Sequence, residues 1–451
     1  MRPRLPSTGV QNVTSTPTSQ ADQGQEKETN ILIIGGGPVG LLLALLLAKK
    51  GMRSAVLESL PSTNPSPRAI AYSGPTHQVF QDAGIYDDIV SHSACTDGFS
   101  WRKPLQGDGK GGYELGPVLA EWIMGKQGAD GKCVPGEFVI QYPQSDLGKL
   151  LRRKLEETGL VTLHFSSTLK GLTQDASSVV ATVKTHGTTR TIRAKYAVGC
   201  DGGQSFTRKL LGIKLIGHNW PERFLTTDVL RVAPVLPEPS IIYIMDPKIW
   251  AISTPLGPVK LGEPQLWRYS MNVPDDSMPD EEVVKPENID KLLLQHIDGP
   301  RPSSHKVVDQ NLYRMSQFVA TTMFRGRCFL AGDAAHTTNP IGGLGLCTGI
   351  LDADALAQAF DLALNKYSDK PEAQQHIFAT YSDARRRVFQ LHVSPFSSSS
   401  KLRLHSQDAE QTAAEDWYLR TLRSGNEEAI KKLHEPLLGH WRSDIAAESG
   451  L

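Results

Sequence analysis

The sequence has little cysteine and no net charge. Its 451 residues include five scattered cysteines, Cys95, Cys133, Cys200, Cys328 and Cys347, without a C-x-x-C pair. The length of the chain excludes a disulfide-stapled miniprotein, and the cysteine spacing argues against a zinc ribbon or an oxidised framework, so we expect no metal site and a reducing, cytoplasmic location. Lys plus Arg and Asp plus Glu both number 48, so no net field draws the chain onto nucleic acid or an anionic membrane.

The sequence also lacks an unbroken apolar stretch long enough to cross a membrane, which takes about 20 residues. The most apolar segment, residues 31–48, is interrupted by a Gly-Gly-Gly-Pro turn at 35–38. Because glycines favour a turn over a helix, we expect a buried strand, a turn and a buried helix rather than a membrane span. Residues 1–30 have almost no large apolar side chains and no secretory apolar stretch, which predicts a mobile tail.

After this tail, the pattern predicts a strand over Ile31–Ile34, a helix over Val39–Lys50 and a second strand over Arg53–Glu58. In such a βαβ unit the turn after the first strand lies at the N-terminus of the helix. Helix N-termini offer free N–H groups and a partial positive charge, and both favour a phosphate.

The turn itself carries the pattern G-x-G-x-x-G, with its glycines at Gly35, Gly37 and Gly40 and with Pro38 and Val39 between the last two, and all five residues are candidates for cofactor binding. The first glycine permits a tight turn, the second lets the backbone approach a pyrophosphate, and the third allows the helix to pack closely on the strand. The turn therefore predicts a dinucleotide site. The alternative is a glycine turn without a ligand.

An acid ends the second predicted strand, since Glu58 stands 18 residues after Gly40. A carboxylate here can accept hydrogen bonds from both hydroxyls of an adenosine ribose, and it would repel a 2′-phosphate. The position therefore favours FAD or NAD over NADP in this first site.

The middle of the chain has a different character. Alternation over Leu266–Val273 puts Trp267, Tyr269, Met271 and Val273 on one face, and Asp246-Pro247-Lys248 predicts a hairpin. We therefore expect an antiparallel sheet over about residues 212–318, which would carry the substrate. Further on, the pattern predicts helices over 373–392 and 409–440, separated by the serine run 397–400, and a solvated basic helix face over 385–387.

Two later segments each end a predicted strand in a short acidic turn. The first contains Asp201-Gly202 with Arg208 following at helical spacing, and the second contains Gly332-Asp333. In this order after G-x-G-x-x-G, the three motifs resemble the class A flavoprotein aromatic hydroxylases. These are the single-component FAD monooxygenases that include para-hydroxybenzoate hydroxylase and phenol hydroxylase. The resemblance covers roughly residues 31–395.

The resemblance implies an α/β fold in which a Rossmann-like FAD-binding domain is interleaved with an α+β substrate domain. The FAD domain would comprise residues 31–211 and 319–395, and the substrate domain, built on the antiparallel sheet, residues 212–318. Residues 396–451 would form a helical C-terminal segment. The positions that the resemblance assigns to the cofactor are Glu58 (adenosine ribose), Arg68 (pyrophosphate), Gln144 (flavin side chain), Asp333 (ribityl hydroxyls), and Asp201 and Arg208 (FAD and pyridine nucleotide).

A glycine-rich segment, Pro340–Cys347, leads into the next predicted helix. Gly343 and Gly345, with the backbone N–H groups of Leu346 and Cys347, would stabilise negative charge on the pyrimidine edge of a reduced flavin. The family usually has Asn at the position of Cys347, so a side-chain amide contact is lost. The resemblance also places the Pro340 carbonyl where the family holds substrate against flavin.

The reaction that the resemblance implies starts with NAD(P)H reducing FAD. Dioxygen then gives a flavin C4a-hydroperoxide, whose distal oxygen attacks an electron-rich ring. We therefore predict hydroxylation of a phenolic or polyketide-like aromatic substrate. Attack is faster on a phenolate than on a phenol, so we expect a base or a cation near the hydroxyl. Arg223, Tyr243 and Tyr269 in the middle sheet are the candidates.

Three alternatives remain open from the sequence. A flavin halogenase shares the fold, but its W-x-W-x-I-P motif is not matched, because residues 248–255 contain only Trp250. An epoxidase or Baeyer–Villiger enzyme acting on a non-aromatic ring is the second alternative, and an FAD-binding protein without turnover is the third. A homodimer is an open expectation, and His336 is expected to be a hydrogen-bonded structural residue.

Overall fold

The computed structural model describes residues 29–451 except 67–68, 97, 125–137, 236, 238, 258–259 and 439–440. Arg68 and Cys133 therefore lie outside the described residues. Of the predicted tail only Thr29 and Asn30 are described, and they already belong to the first strand. Across the described ranges, every helix is too short or too polar to cross a membrane.

The strands of the described residues form two large sheets and two small ones. In chain order they are β1 Thr29–Ile34, β2 Ser54–Leu57, β3 Ala71–Tyr72, β4 Ala94–Thr96, β5 Gly98–Arg102, β6 Gln106–Gly107, β7 Tyr113–Glu114, β8 Val118–Ile123, β9 Val139–Gln141, β10 Val161–His164, β11 Ser167–Gln174, β12 Val179–Thr185, β13 Thr188–Gly199, β14 Leu215–Val232, β15 Ile241–Ile244, β16 Ala251–Pro255, β17 Pro264–Asn272, β18 His305–Ala320, β19 Phe324–Arg325, β20 Cys328–Leu330 and β21 His336–Thr337.

The helices cover the first large sheet and form most of the C-terminal part. They are α1 Pro38–Lys49, α2 Thr76–Ala83, α3 Tyr86–Val90, α4 Gln144–Thr158, α5 Phe206–Leu210, α6 Asp280–Val283, α7 Pro286–Leu293, α8 Gly345–Asp361, α9 Pro371–Val388, α10 Ser394–Leu404, α11 Ala409–Glu415, α12 Trp417–Arg423, α13 Glu427–Leu438 and α14 Ile445–Ser449. Two 3₁₀ turns, Gly332–Ala334 and Pro340–Gly342, lie before α8.

The first large sheet has a parallel centre. Strands β10, β2, β1, β13 and β20 run in the same direction. Strand β12 pairs antiparallel with the first half of β13, and β11 pairs antiparallel with β12. Helix α1 is apolar on all sides because it packs between this sheet and the helices α8 and α4. The strand, turn and helix predicted from residue 31 onward are confirmed, and the parallel centre is that of a Rossmann-like domain.

The second large sheet has the strand order β21-β18-β14-β17-β16-β15-β5-β8. The predicted hairpin is present, with Tyr243 opposite Ile252. The predicted boundaries of 212 and 318 were too narrow, because β5, β8 and β21 come from outside them. Strand β5 joins through a parallel pairing with β15, which aligns Trp101 with Tyr243. This pairing joins segments about 140 residues apart in the sequence, so no local sequence pattern indicates it.

The two faces of the second sheet have different neighbours. Trp267, Tyr269 and Met271 lie on the face that forms a buried cluster with Ile289 and Leu293 of α7. Because side chains alternate along a strand, Tyr243 and Ile252 point to the opposite face. That face, together with Ile341 and the helices α11 and α12, forms a second cluster. The Tyr243 face is therefore the one next to the Pro340–Gly342 turn.

The C-terminal helices differ from the prediction in two ways. Residues Ser397–Ser400 lie inside α10 instead of separating two helices. Ser394 and Ser398 of this helix accept hydrogen bonds from Gln317 at 2.7–2.8 Å, so the serines face a buried partner. The prediction of a solvated face over 385–387 is wrong for Arg385, which is fully buried and pairs with Asp352 at 2.8 Å, whereas Arg387 is exposed.

Buried tyrosines predict how stability depends on pH. Burial raises the pKa of Tyr269 to about 12, and it also raises the pKa values of Tyr72, Tyr243, Tyr381 and Tyr418. Above pH 10 the unfolded chain ionises these tyrosines while the native protein does not. We therefore expect the free energy of unfolding to fall above pH 10, by about 1.4 kcal/mol per pH unit for each such tyrosine.

Absorbance at 295 nm and far-UV circular dichroism, recorded together from pH 9 to 13, measure this dependence. The expected result is that part of the tyrosine ionisation coincides with loss of helical signal. The protein in 6 M guanidinium chloride is the control and should titrate near pH 10. Complete ionisation near pH 10 with an unchanged helical signal would contradict the prediction.

Candidate active site

Four parallel strands end at the same level of the first sheet. Ile34 at the end of β1 is in register with Leu57 of β2 and with Gly199 of β13, and Gly199 is in register with Leu330 of β20. The segments that follow these strands carry the G-x-G-x-x-G turn, Glu58, the Asp-Gly turn and the Gly-Asp turn. The register thus brings the predicted motifs together at the carboxyl edge of the sheet, where open α/β sheets bind ligands.

The glycines of the first turn are required by close approaches. Gly35 has a φ of +112°, and a Cβ there would lie 2.3 Å from the Cys200 carbonyl oxygen. A Cβ at Gly40 would lie 2.1 Å from the carbonyl oxygen of Gly35. At Gly37, in contrast, a Cβ would meet no described atom within 4 Å. The first and third glycines therefore pack the turn, and the second leaves space where a pyrophosphate can approach.

Glu58 lies beside this turn, as predicted. Its Oε2 accepts a hydrogen bond of 2.8 Å from the Gly36 N–H, and its Oε1 accepts one of 2.8 Å from the Leu60 N–H. The sequence analysis did not single out Gly36, although a Cβ there would lie 2.9 Å from the Glu58 Cβ. The carboxylate is therefore held at the turn by backbone donors, in a position suited to a ribose.

Asp201 and Arg208 have partners within the protein. Asp201 accepts hydrogen bonds from Ser205 Oγ at 2.5 Å and from the Thr207 N–H at 2.9 Å, so it holds the start of α5. The Arg208 guanidinium donates to the carbonyls of Gly203 and Ala334, both at 2.8 Å. Arg208 therefore ties the Asp-Gly turn to the Gly-Asp turn, and contact of Asp201 and Arg208 with the cofactor stays a prediction.

Asp333 occupies the exposed position of the Gly-Asp turn, while its neighbours Gly332 and Ala334 are buried. Gly332 has a φ of +62°, and a Cβ there would lie 3.0 Å from Val39 of α1. The turn thus packs on α1 through the glycine and presents the carboxylate at the surface of the site. This is the arrangement that a ligand for ribityl hydroxyls needs.

Helix α8 begins at Gly345, directly after the Pro340–Gly342 turn, and Gly343 between them has a φ of +67°. The first N–H groups of a helix have no partner within it, so those of Leu346 and Cys347 fit the predicted role. The Cys347 Sγ donates to the Ala71 carbonyl at 3.5 Å. Cys347 is therefore a buried packing residue, and the substitution of the usual Asn leaves the backbone donors in place.

A residue that the sequence analysis missed holds this turn. Gln317 on β18 is buried, and its Oε1 accepts a hydrogen bond of 2.9 Å from Asn339 Nδ2. Asn339 Oδ1 in turn accepts the Ile341 N–H at 3.1 Å. The sequence shows Asn339 directly before Pro340, a usual helix-capping arrangement, but Gln317 is recognisable only from the packing.

Tyr243 lies next to the same turn. Its hydroxyl donates to the Ile341 carbonyl at 3.0 Å, and its ring stacks on Trp101 at 5.3 Å and on Phe99 at 5.9 Å. Burial raises its pKa well above the ordinary value, so the phenol stays protonated near neutral pH. Tyr243 therefore fits a binding role near the turn, and it does not fit the role of a base.

The other two sheet candidates lie on the far face. Tyr269 is buried there, and its hydroxyl accepts a hydrogen bond of 2.5 Å from Arg231, which pairs with Asp298 at 2.7 Å. Arg223 donates to the Met278 carbonyl at 2.5 Å and pairs with Asp280 at 2.9 Å. We therefore withdraw Arg223 and Tyr269 from the substrate site, because sheet alternation points them away from the Pro340–Gly342 turn.

Gln144 begins α4, and its N–H donates to the Ala69 carbonyl at 2.9 Å. This contact places Gln144 beside Ala69, and Arg68 lies outside the described residues. Pro340 is exposed at the start of its 3₁₀ turn. Both positions remain predictions for cofactor and substrate contact, respectively.

Comparison with known proteins identifies the family. The model of the FAD binding domain family matches residues 28–394, which includes all the strand ends described above. The chain belongs to the class A flavoprotein aromatic hydroxylases. The predicted family and fold are therefore confirmed, and the protein is an FAD-dependent monooxygenase of aromatic compounds.

Relatives of this flavoprotein family match the chain over most of its length. Para-nitrophenol 4-monooxygenase of Pseudomonas sp. (strain WBC-3) is 31% identical over 388 residues, which are 86% of this chain and 90% of the relative. A probable NADH-specific resorcinol 4-hydroxylase of Rhodococcus jostii (strain RHA1) is 27% identical and aligns with 76% of this chain and 61% of its own length. The crystal structure of p-nitrophenol 4-monooxygenase PnpA from Pseudomonas putida DLL-E4 has a TM-score of 0.77 and 28% identity, covering 91% of this chain and 97% of that one.

The described residues of this flavoprotein fit FAD. The space at Gly37 and the start of α1 suit the pyrophosphate, Glu58 suits the adenosine ribose, and the exposed Asp333 suits the ribityl chain. The Pro340–Gly342 turn and the start of α8 suit the flavin ring. When bound, FAD supplies the electron transfer and oxygen chemistry that side chains lack. The relatives are aromatic monooxygenases, which favours hydroxylation over the halogenase, epoxidase and binding-only alternatives.

Proposed function

We propose that the protein hydroxylates a small, monocyclic phenol of the para-nitrophenol type, with NADH or NADPH as reductant and O₂ as oxidant. The position of Tyr243 carries this proposal, because it is the predicted sheet residue that faces the Pro340–Gly342 turn. The name of the relative that is 31% identical supports the substrate class. The name of the probable NADH-specific relative supports a nicotinamide reductant.

An aromatic wall lies beside Tyr243. Phe99 stacks on Trp122 at 5.4 Å, and Trp101 meets Tyr418 of α12 edge to face at 5.7 Å. Flat side chains of this kind bind a flat ring over a large area at low conformational cost. Helices α11 and α12 pack against this wall. We infer that the substrate ring is held beside the wall, at the edge next to the Pro340–Gly342 turn.

Tyr243 would orient the substrate through its oxygen. The Tyr243 hydroxyl already donates its hydrogen bond to the Ile341 carbonyl at 3.0 Å. The lone pairs of the Tyr243 oxygen can therefore accept a hydrogen bond from the hydroxyl of the substrate. In this role Tyr243 fixes which ring carbon faces the reacting centre, and positioning of this kind is a large part of catalysis. Because the raised pKa of Tyr243 keeps its hydroxyl protonated, a different group accepts the proton when the substrate phenol ionises.

Polar groups on the Tyr243 face of the sheet would bind the substituents of the substrate ring. Tyr243 of β15 and Ile252 of β16 lie opposite each other in the sheet. The same row across the strands continues with Ser270 of β17 and Thr226 of β14. The hydroxyls of Ser270 and Thr226 lie 3.2 Å apart. We propose that this polar row meets a substituent such as a nitro group, while the aromatic wall meets the ring itself.

Oxidation of NADH and NADPH tests the proposal, measured separately with and without para-nitrophenol. We expect oxidation to accelerate at least tenfold when the phenol is added, and we expect one ¹⁸O atom from ¹⁸O₂ in each product molecule. Nitrobenzene, which lacks the hydroxyl, is the control and should accelerate oxidation much less. Equal rates with all additions, or product oxygen derived from water, would contradict the proposal.

Two further properties remain proposals. Among the described residues, Cys200, Cys328 and Cys347 are free thiols, which supports a reducing cytoplasmic location. We also propose a homodimer, and light scattering coupled to gel filtration measures its mass directly. A mass near the 49.3 kDa of one chain would contradict the dimer.

A further inference from the structure

A fully buried acid lies beneath the Gly-Asp turn. Asp352, in the middle of α8, accepts a hydrogen bond of 2.9 Å from the Gly332 N–H and one of 2.6 Å from His336 Nε2, both through Oδ2. Its Oδ1 accepts the Arg385 Nε–H at 2.8 Å. Asp352 and Arg385 are each 0% exposed and His336 is 1% exposed. One carboxylate thus contacts both sides of the turn that presents Asp333.

Arg385 connects this acid to distant parts of the chain. Its Nη1 donates to the Trp441 carbonyl at 2.5 Å and to Ser443 Oγ at 3.3 Å, and its Nη2 donates to the Thr348 carbonyl at 3.3 Å. One turn earlier on α9, the Tyr381 hydroxyl donates to the Leu330 carbonyl at 2.8 Å. Helix α9 therefore holds the last residue of β20 directly, and it holds the following turn through Asp352.

The electrostatics of the cluster favour a charged carboxylate. Burial alone would raise the pKa of Asp352, but its interactions with His336 and Arg385 hold the pKa below the ordinary value. Removing one member of a buried charged pair leaves the other uncompensated, which makes such a cluster sensitive to single changes. The arrangement also leaves little freedom to the backbone of the turn, because both Gly332 and His336 are bonded to the same oxygen.

We propose that Asp352 is a positioning residue for FAD, which fixes the Gly332–Asp333 turn in the conformation that presents the Asp333 carboxylate to the ribityl chain. Asp352 is buried behind the turn, so it acts through the Gly332 N–H and His336 and need not touch the cofactor. Arg385 holds the other carboxylate oxygen of Asp352, so it supports the turn indirectly.

The test compares Asp352→Asn with Asp354→Asn in the full-length protein. Asp354 lies two residues away on the same helix and is also buried, but it pairs with Arg442 at 2.8 Å, away from the turn. Flavin is removed, and the Kd for FAD is measured by quenching of flavin fluorescence. We expect the Kd of Asp352→Asn to rise at least tenfold and that of Asp354→Asn to stay within twofold of the original protein.

Thermal unfolding with and without FAD separates positioning from general stability. A bound ligand raises the Tm according to its affinity, so the FAD-induced rise should shrink in Asp352→Asn and persist in Asp354→Asn. Both variants should unfold at lower temperature without FAD. If Asp352→Asn is insoluble, His336→Leu decides the question, with an expected three- to tenfold rise in Kd. A Kd within twofold of the original in the soluble variant would overturn the proposal.

Discussion

Protein in which Asp333 is replaced by Ala is expected to purify without flavin. Asp333 is the exposed member of a turn whose other residues are buried, and Gly332 of this turn packs on Val39 of α1, so we expect the exposed side chain to bind the ribityl hydroxyls. A hydrogen bond to a charged group contributes about 1.5–3 kcal/mol, and loss of two of them raises the Kd for FAD at least about 100-fold. The fold should persist, because the exposed carboxylate is not part of the core.

The measurement is the ratio of absorbance at 450 nm to that at 280 nm, followed by titration of the flavin-free variant with FAD. Asp369→Ala, which changes an exposed acid of the loop before α9, is the matched control and should retain full flavin content. Asp333→Asn should retain more FAD than Asp333→Ala, because the amide still accepts one hydrogen bond. A yellow Asp333→Ala protein with unchanged FAD affinity would remove Asp333 from the cofactor site.

Replacing Tyr243 by Phe is expected to slow hydroxylation about ten- to hundredfold and to leave flavin reduction nearly unchanged. The change removes the bond to the Ile341 carbonyl and the oxygen that would orient the phenol. A loss of 1.4–2.7 kcal/mol of transition-state stabilisation corresponds to about this factor. The ring stacking on Trp101 survives, so the wall itself should stay intact.

Stopped-flow absorbance measures both steps: flavin reduction by NAD(P)H without oxygen, then product formation after mixing with oxygen. Tyr269→Phe is the matched control, because it deletes a buried tyrosine hydroxyl on the opposite face of the same sheet. This control should lower stability while leaving both rates close to those of the original protein. Equal slowing of both steps in Tyr243→Phe, or the same loss in Tyr269→Phe, would exclude Tyr243 from the active site.

The flavin-binding edge was predictable because its chemistry is local. The turn after a strand at Gly35–Gly40, the acid at Glu58 and the Gly-Asp pair at 332–333 each have a short sequence pattern. Strand polarity then brings them together, since parallel strands end at one edge. The end of α2 at Ala83 is marked by a local pattern as well, because Gly84 takes the left-handed conformation that ends the helix.

The substrate side was predictable only in part. Alternation in β17 shows that Tyr269 shares a face with Trp267 and Met271, but it does not show which face meets the flavin turn. That depends on long-range pairing, in which β5 joins the sheet from outside the predicted domain.

Buried charge was the other feature that sequence pattern missed. The run Arg385–Arg387 has the composition of a surface helix, yet Arg385 is buried because its partner Asp352 lies on another helix. The signal that does exist is the presence of Asp352 and Asp354 inside the otherwise apolar helix α8. Acids are rarely buried unless they are paired. Such positions therefore predict a buried cation elsewhere in the chain, but they do not show which basic residue it is.

Titration of the flavin-free protein with FAD, and separately with FMN, tests the central claim most directly. That claim is that strand ends carrying Glu58, the glycine turn and Asp333 bind one dinucleotide together. We expect FAD to bind in a 1:1 ratio and to restore absorbance at 450 nm, whereas FMN, which lacks the adenosine half, should bind at least 100-fold more weakly. Equal affinity for both flavins, or binding of neither, would contradict the account.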